Sequence, residues 1–113
     1  MLDQNELTLD IEVMDDIATV RCGGRLTLVS ASRLRHEVKR VLLHARVITM
    51  DLSDLTMMDS LGLGTIAALY ASARNAGREL YVVNIGPRIR EMFSVSRLLS
   101  LFETPVDTSV RIP

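Results

Sequence analysis

The sequence predicts a single α/β domain, with a mixed central sheet, an antiparallel N-terminal hairpin and helices mainly on one face. Three observations lead to this. Two segments of strand periodicity open the chain; β-branched apolar runs then alternate with segments of helical periodicity; and 113 residues suffice for one core but not for two. Strands joined by helices of this length imply parallel pairing through right-handed crossovers, which leaves the hairpin as an antiparallel edge.

The hairpin comes from LTLDIEV at 7–13 and IATVRCG at 17–23, both alternating apolar and polar, with Met14-Asp15-Asp16 as turn and Gly23-Gly24 expected to end the second strand. LVSASRLRHEVKRVL at 28–42 places Ala31, Leu34, Val38, Val41 and Leu42 at helical spacing, and Thr27 or Ser30 can cap it. VITMDLSDL at 47–55 reads as an interior strand, closed by a short polar loop. SLGLGTIAALYASARNAG at 60–77 is an alanine-rich buried helix whose Asn75-Ala76-Gly77 predicts a left-handed C-cap. LYVVNI at 80–85 is a third β-branched run, and Gly86-Pro87 opens a shorter helix with Ile89, Met92 and Phe93 on one face. Leu98, Leu99, Leu101 and Phe102 can add a short terminal element, and residues 104–113 read as a loosely held tail.

Composition excludes several functions. With 48% hydrophobic and 24% charged residues the chain has the make-up of a folded globular protein. The single cysteine, Cys22, cannot form an intrachain disulfide or a multi-thiolate metal site, and it suits a reducing, cytoplasmic compartment. The acidic start MLDQNELTLD is unlike a secretory signal, and no apolar run approaches a membrane span. Net charge is -1 but uneven: residues 1–16 carry Asp3, Glu6, Asp10, Glu12, Asp15 and Asp16 with no base. Residues 21–46 carry Arg21, Arg25, Arg33, Arg35, Lys39, Arg40 and Arg46 against Glu37 alone. Two Tyr, two Phe and no Trp are too few stacking side chains for a nucleic-acid surface.

No enzyme motif assembles. His36 and His44 have no third ligand to complete a metal site, Cys22 has no histidine near it in sequence, and the chain contains no GxGxxG, GxxxxGK[ST] or GxSxG. No cofactor, metal or catalytic residue is therefore expected.

The junction Asp51-Leu52-Ser53-Asp54-Leu55-Thr56-Met57-Met58-Asp59-Ser60-Leu61-Gly62-Leu63-Gly64 stands apart. It places a carboxylate and a hydroxyl where a buried strand gives way to a helix N-terminus, so Asp59 or Ser60 can cap the helix, with Ser60 the favoured cap if its oxygen turns into the first-turn amides. Gly62 and Gly64 are each unfavourable in a helix by roughly 1 kcal/mol relative to alanine, which implies close backbone approach by a neighbour or a partner. Met57, Met58 and Leu61 add apolar contact area, making this loop a candidate recognition surface.

These residues carry a family resemblance. The Asp51-Leu52-Ser53 strand, the MDSxGLG loop at 58–64, the glycine before the next strand, and the Asn-Ile-Gly-Pro helix with Phe93-x-x-Ser96-x-x-Leu99 resemble the STAS domain family, specifically the bacterial anti-sigma factor antagonists. VRCGGRLTLVSASRLR at 20–35 is similar to the family's earlier strand, turn and first helix, so the resemblance spans about 8–103 of a single domain over 1–113.

The resemblance implies a cytoplasmic, non-enzymatic protein, a monomer or weak homodimer, that binds an anti-sigma factor which is also a serine protein kinase and so releases a sigma factor. It implies partner contacts from Met57, Met58, Asp59, Ser60, Leu61 and Gly62, together with Arg25 and Thr27, and a serine phosphatase that reverses phosphorylation of the loop. Two positions depart from the pattern. The usual phosphoacceptor position is Leu61, which has no hydroxyl, and the usual carboxylate after the Gly-x-Leu turn is Thr27. Phosphorylation at Ser60, binding without a phosphoryl switch, or service as a scaffold subunit of a signalling or ABC lipid-transport assembly are the readings this leaves.

Overall fold

A computed structural model describes residues 6–96. The terminal element expected from Leu98, Leu99, Leu101 and Phe102 and the tail at 104–113 lie outside the described residues. The elements run β1 (Thr8–Met14), β2 (Ile17–Leu26), α1 (Leu28–Val41), β3 (Val47–Met58), α2 (Ser60–Asn75), β4 (Glu79–Val83) and α3 (Pro87–Ser96). They build a sheet of order β1-β2-β3-β4, in which β1 pairs antiparallel with β2 and the other two pairings are parallel. The mixed sheet with its antiparallel N-terminal hairpin is the one the sequence predicts.

Register separates the two faces of the sheet. Ala18, Ile48 and Leu80 share one row and Val20, Met50 and Val82 the next, all facing one side and buried. The side-by-side helices α1 and α2 cover that side with Leu34, Val38, Ile66 and Leu69. Ile89 and Phe93 of α3 join the same core, where Phe93 is fully buried. The opposite face carries the polar row Asp10, Arg21 and Asp51, in which Arg21 approaches Asp10 at 3.9 Å and Asp51 at 3.4 Å. Desolvation pushes the Asp51 carboxyl up, but hydrogen bonds from Ser53, Asn84 and Arg21 outweigh it and hold the group below its ordinary value.

The strands end later than the sequence implies. Gly23-Gly24 does not close β2, which runs on to Leu26, and β3 continues past Leu55 to Met58. The two extensions pair with each other, Gly24 with Leu55 and Leu26 with Met58, through two irregularities where β3 carries an extra residue. Such bulges accommodate glycine, and Gly24 takes φ 82°. The polar loop expected before α2 thereby shrinks to Asp59 alone. At the far end of α2 the C-cap forms as the sequence implies: Gly77 adopts φ 73°, its N–H donates to the Arg74 carbonyl, and Arg78 N–H donates to that of Ala73.

Cys22 lies in the core with no exposed surface. Burial, reinforced by the Asp51 charge, pushes its thiol up to about 12. A thiol-specific disulfide reagent at about pH 8 should therefore leave the folded protein unmodified and label it stoichiometrically only in denaturant. Rapid labelling of the native protein would contradict this burial.

Candidate partner-binding site

The site grows from the last residue pair of the parallel β2–β3 ladder. Asp59 follows Met58 directly, in extended backbone with φ -102° and ψ -179°, and its N–H donates to the Leu26 carbonyl at 3.2 Å. Its carboxylate then serves two helices. Oδ1 accepts from Gly62 N–H at 2.8 Å, capping α2, and Oδ2 accepts from Leu28 N–H at 3.0 Å, capping α1 across 31 residues of sequence. Neither helix has an acidic residue in its first turn, so this one carboxylate faces two positive helix ends.

Asp59, and not Ser60, is therefore the α2 cap. The Ser60 backbone is already the first helical residue, so its side chain is exposed and its hydroxyl makes no hydrogen bond to the described residues. On α1, Thr27 holds the N-cap position; its N–H donates to Ser30 Oγ at 3.1 Å, and the Ser30 hydroxyl donates to the Arg25 carbonyl at 2.9 Å. Both residues named from sequence shape this helix start, but its first free amide is satisfied from the other helix.

The hydrogen bonds set the acidity of Asp59. Desolvation raises its pKa, but the amides of Gly62, Leu28 and Leu61 outweigh this and lower it from the ordinary 3.8. A depressed folded pKa means that the stabilisation is complete above the ordinary carboxylate range and is lost as pH falls through the lower folded value. Asp59→Ala should cost about 2 kcal/mol at neutral pH, roughly 1 kcal/mol per lost cap. In thermal melts the gap to wild type should close as the carboxylate protonates; a gap independent of pH would refute the double cap.

The other residues divide between core and surface. Met58 is 4% exposed and Gly62 is buried, so neither offers the partner contact area expected of it; the two extra residues of β3 break the alternation, leave Leu52, Leu55 and Met58 buried at every third position, and set Met58 against Gly62. A Cβ on Gly62 would collide with the Leu26 carbonyl oxygen and crowd the Leu26 and Met58 side chains, whereas one on Gly64 would meet nothing within 4 Å. Leu61 is 50% exposed and Met57 36%, and Arg25, which pairs with Met57 in the ladder, is exposed; Thr27 is half-buried.

Sequence reasoning missed Leu28 and Val29, which are 67% and 79% exposed at the start of α1. The Asp59 bridge brings that start beside Leu61, so the apolar surface is formed by two helix ends. The available signal was that Leu28 and Val29 fall off the inward stripe of Ala31, Leu34, Val38 and Val41. The assembly is suited to recognition: apolar side chains stand on a hydrogen-bonded backbone, flanked by Arg25 and the Ser60 hydroxyl. Among the described residues no group of three His, Cys, Asp or Glu side chains could hold a metal ion, and no helix is long and apolar enough to cross a membrane.

Comparison with known proteins places these features in context. The STAS domain model matches residues 8–111. The anti-sigma-B factor antagonist of Staphylococcus aureus is 25% identical over 105 residues, covering 92% of this chain and 97% of that protein. An anti-sigma factor antagonist from Mycobacterium paratuberculosis has the same fold, with a TM-score of 0.78 at 24% identity over 90% of this chain and 87% of that one. The Bacillus cell fate determinant SpoIIAA in its phosphorylated form gives a TM-score of 0.67 at 19% identity, covering 90% and 97% of the respective chains.

Proposed function

The chain belongs to the STAS domain family, and from that premise we propose that it is an anti-sigma factor antagonist that binds its partner through the paired N-termini of α1 and α2. The observation that carries this reading is the exposed apolar group Leu28, Val29, Leu61 and Met57 gathered around the Asp59 double cap. Large apolar side chains exposed together on a backbone already held in place form a surface that a partner can desolvate at low ordering cost. Arg25 and Ser60 supply a polar rim. Met58, Gly62 and Asp59 act from beneath, by shaping the surface.

Leu61 also bears on regulation. It occupies the position where the family resemblance places a phosphoacceptor, and Ser60 projects about 100° away around the helix. A kinase that seats its acceptor at position 61 meets a side chain with no hydroxyl. The protein accordingly binds an anti-sigma factor kinase without being switched off by it, and no serine phosphatase is needed to restore binding. Adding the protein to a preformed complex of anti-sigma factor and sigma factor should displace free sigma factor on gel filtration, in the presence of ATP as in its absence. Failure to displace would count against antagonism and would favour a scaffold role.

A further inference from the structure

The outward face of α1 carries positive charge that nothing among the described residues balances. Leu28, Ser32, Arg35, Lys39 and Leu43 follow one another at helical spacing and are all exposed. They form a stripe about 22 Å long at some 1.5 Å per residue, apolar at both ends and cationic between. Arg33 flanks it and donates to the Leu7 carbonyl, a neutral acceptor that leaves the guanidinium charge uncompensated. Among the described residues none of Arg25, Arg33, Arg35 and Lys39 has an ion-pair partner. The two helices and their N-caps hold only two carboxylates, and both are engaged: Glu37 accepts from Arg40 at 2.6 Å, and Asp59 accepts from the Gly62 and Leu28 amides.

Helix stability does not account for these cations. Lys39 and Arg40 lie in the last turn, where the negative helix end favours them. Arg25, by contrast, precedes the positive end, and Arg33 and Arg35 stand in the middle of the helix, where the macrodipole offers no return. Helix α2 beside it is the opposite case, with no charged residue from Ser60 to Ala73. Positive charge is thus confined to one of the two helices that run back from Asp59.

Resting on the reading that a partner seats on the paired helix N-termini, we propose that this stripe is the electrostatic part of the same interface and receives an acidic face of that protein partner. Leu28 belongs both to the apolar group and to the stripe, so a partner that desolvates the first lies along the second. Uncompensated cations on α1 and none on the first three turns of α2 orient the partner as well as attract it, because its carboxylates gain only over α1. Exposed charges of this kind act mainly on the rate of association, since they are felt before contact and stay hydrated within it.

Stopped-flow association of the cognate anti-sigma factor kinase with wild type and variants, together with dissociation rates, tests this. The double variant Arg35→Glu/Lys39→Glu, at exposed positions, should keep the wild-type melting temperature and associate at least tenfold more slowly at about 0.05 M salt. The difference should shrink below about twofold at about 0.5 M, with dissociation altered less than about threefold throughout. Arg88→Glu, on α3, should leave association within about twofold of wild type, and an equal slowing there would overturn the proposal. Leu61→Ala separates the two readings, because it should act on dissociation at every salt concentration. Weakened binding of Leu61→Ala alongside unslowed association of the double variant would overturn the acidic contact and leave the proposed function standing; no binding of the kinase by wild type would overturn both. Retention of wild type on phosphatidylserine vesicles at about 0.15 M salt, lost in the double variant while kinase association is unchanged, would assign the stripe to a lipid surface and overturn the proposal.

Discussion

Replacing Gly62 with alanine is expected to destabilise the fold by roughly 3 kcal/mol, while the same change at Gly64, two residues away in the same helix, stabilises it by about 0.5–1 kcal/mol. The two glycines look equivalent in the run Leu-Gly-Leu-Gly, yet their surroundings are opposite. At Gly62 the added methyl meets the Leu26 carbonyl oxygen, a backbone atom held at the end of the β2–β3 ladder, and would stand 2.9 Å from both Leu26 Cγ and Met58 Cγ, two buried side chains. At Gly64 it enters open space on an exposed helical surface, where only the gain in helix propensity remains. Melting temperatures should therefore move in opposite directions, falling by roughly 10 °C or more for Gly62→Ala and rising by a few degrees for Gly64→Ala. A tolerated Gly62→Ala would mean that the start of α2 does not pack directly against the Leu26 carbonyl.

The second large effect concerns Leu61. Truncation to alanine removes a half-exposed side chain with little influence on the core, so stability should change by less than about 0.5 kcal/mol. Loss of a central apolar contact from the proposed interface should nevertheless cost about 2 kcal/mol of binding, close to thirtyfold in affinity. Leu61→Ser makes the stronger prediction. It restores a hydroxyl where a partner kinase would seat its acceptor, at a helix end that favours the added phosphate. With kinase and ATP the variant should gain one phosphate by mass and then lose binding. A variant that binds but stays unmodified would point to the missing carboxylate at Thr27 as a second requirement.

The order of elements was legible because it rests on local patterns: period-two alternation in β1 and β2, β-branched runs for β3 and β4, helical spacing for α1 and α2, and Gly77 at the C-cap. Strand ends were not, since Gly23-Gly24 reads locally as a terminator and only pairing between two distant extensions carries the strands onward. The site was half legible. Asp59, Leu61 and Met57 could be singled out at the junction, whereas the burial of Met58 depends on two bulges in β3 that replace the alternation and that no local pattern marks. The cap from Asp59 to Leu28 and the exposure of Leu28 and Val29 depend on the crossing of two chain segments, which no local pattern encodes.

Calorimetric titration of a cognate anti-sigma factor kinase with wild-type protein and with Leu61→Asp, both in the presence of MgATP, tests the central claim most directly. The account predicts that wild type binds with 1:1 stoichiometry and keeps its mass, and that Leu61→Asp, folded by its melting curve, binds at least thirtyfold more weakly. Equal affinity of the two proteins, or a phosphate on wild-type Ser60 that abolishes binding, would contradict it.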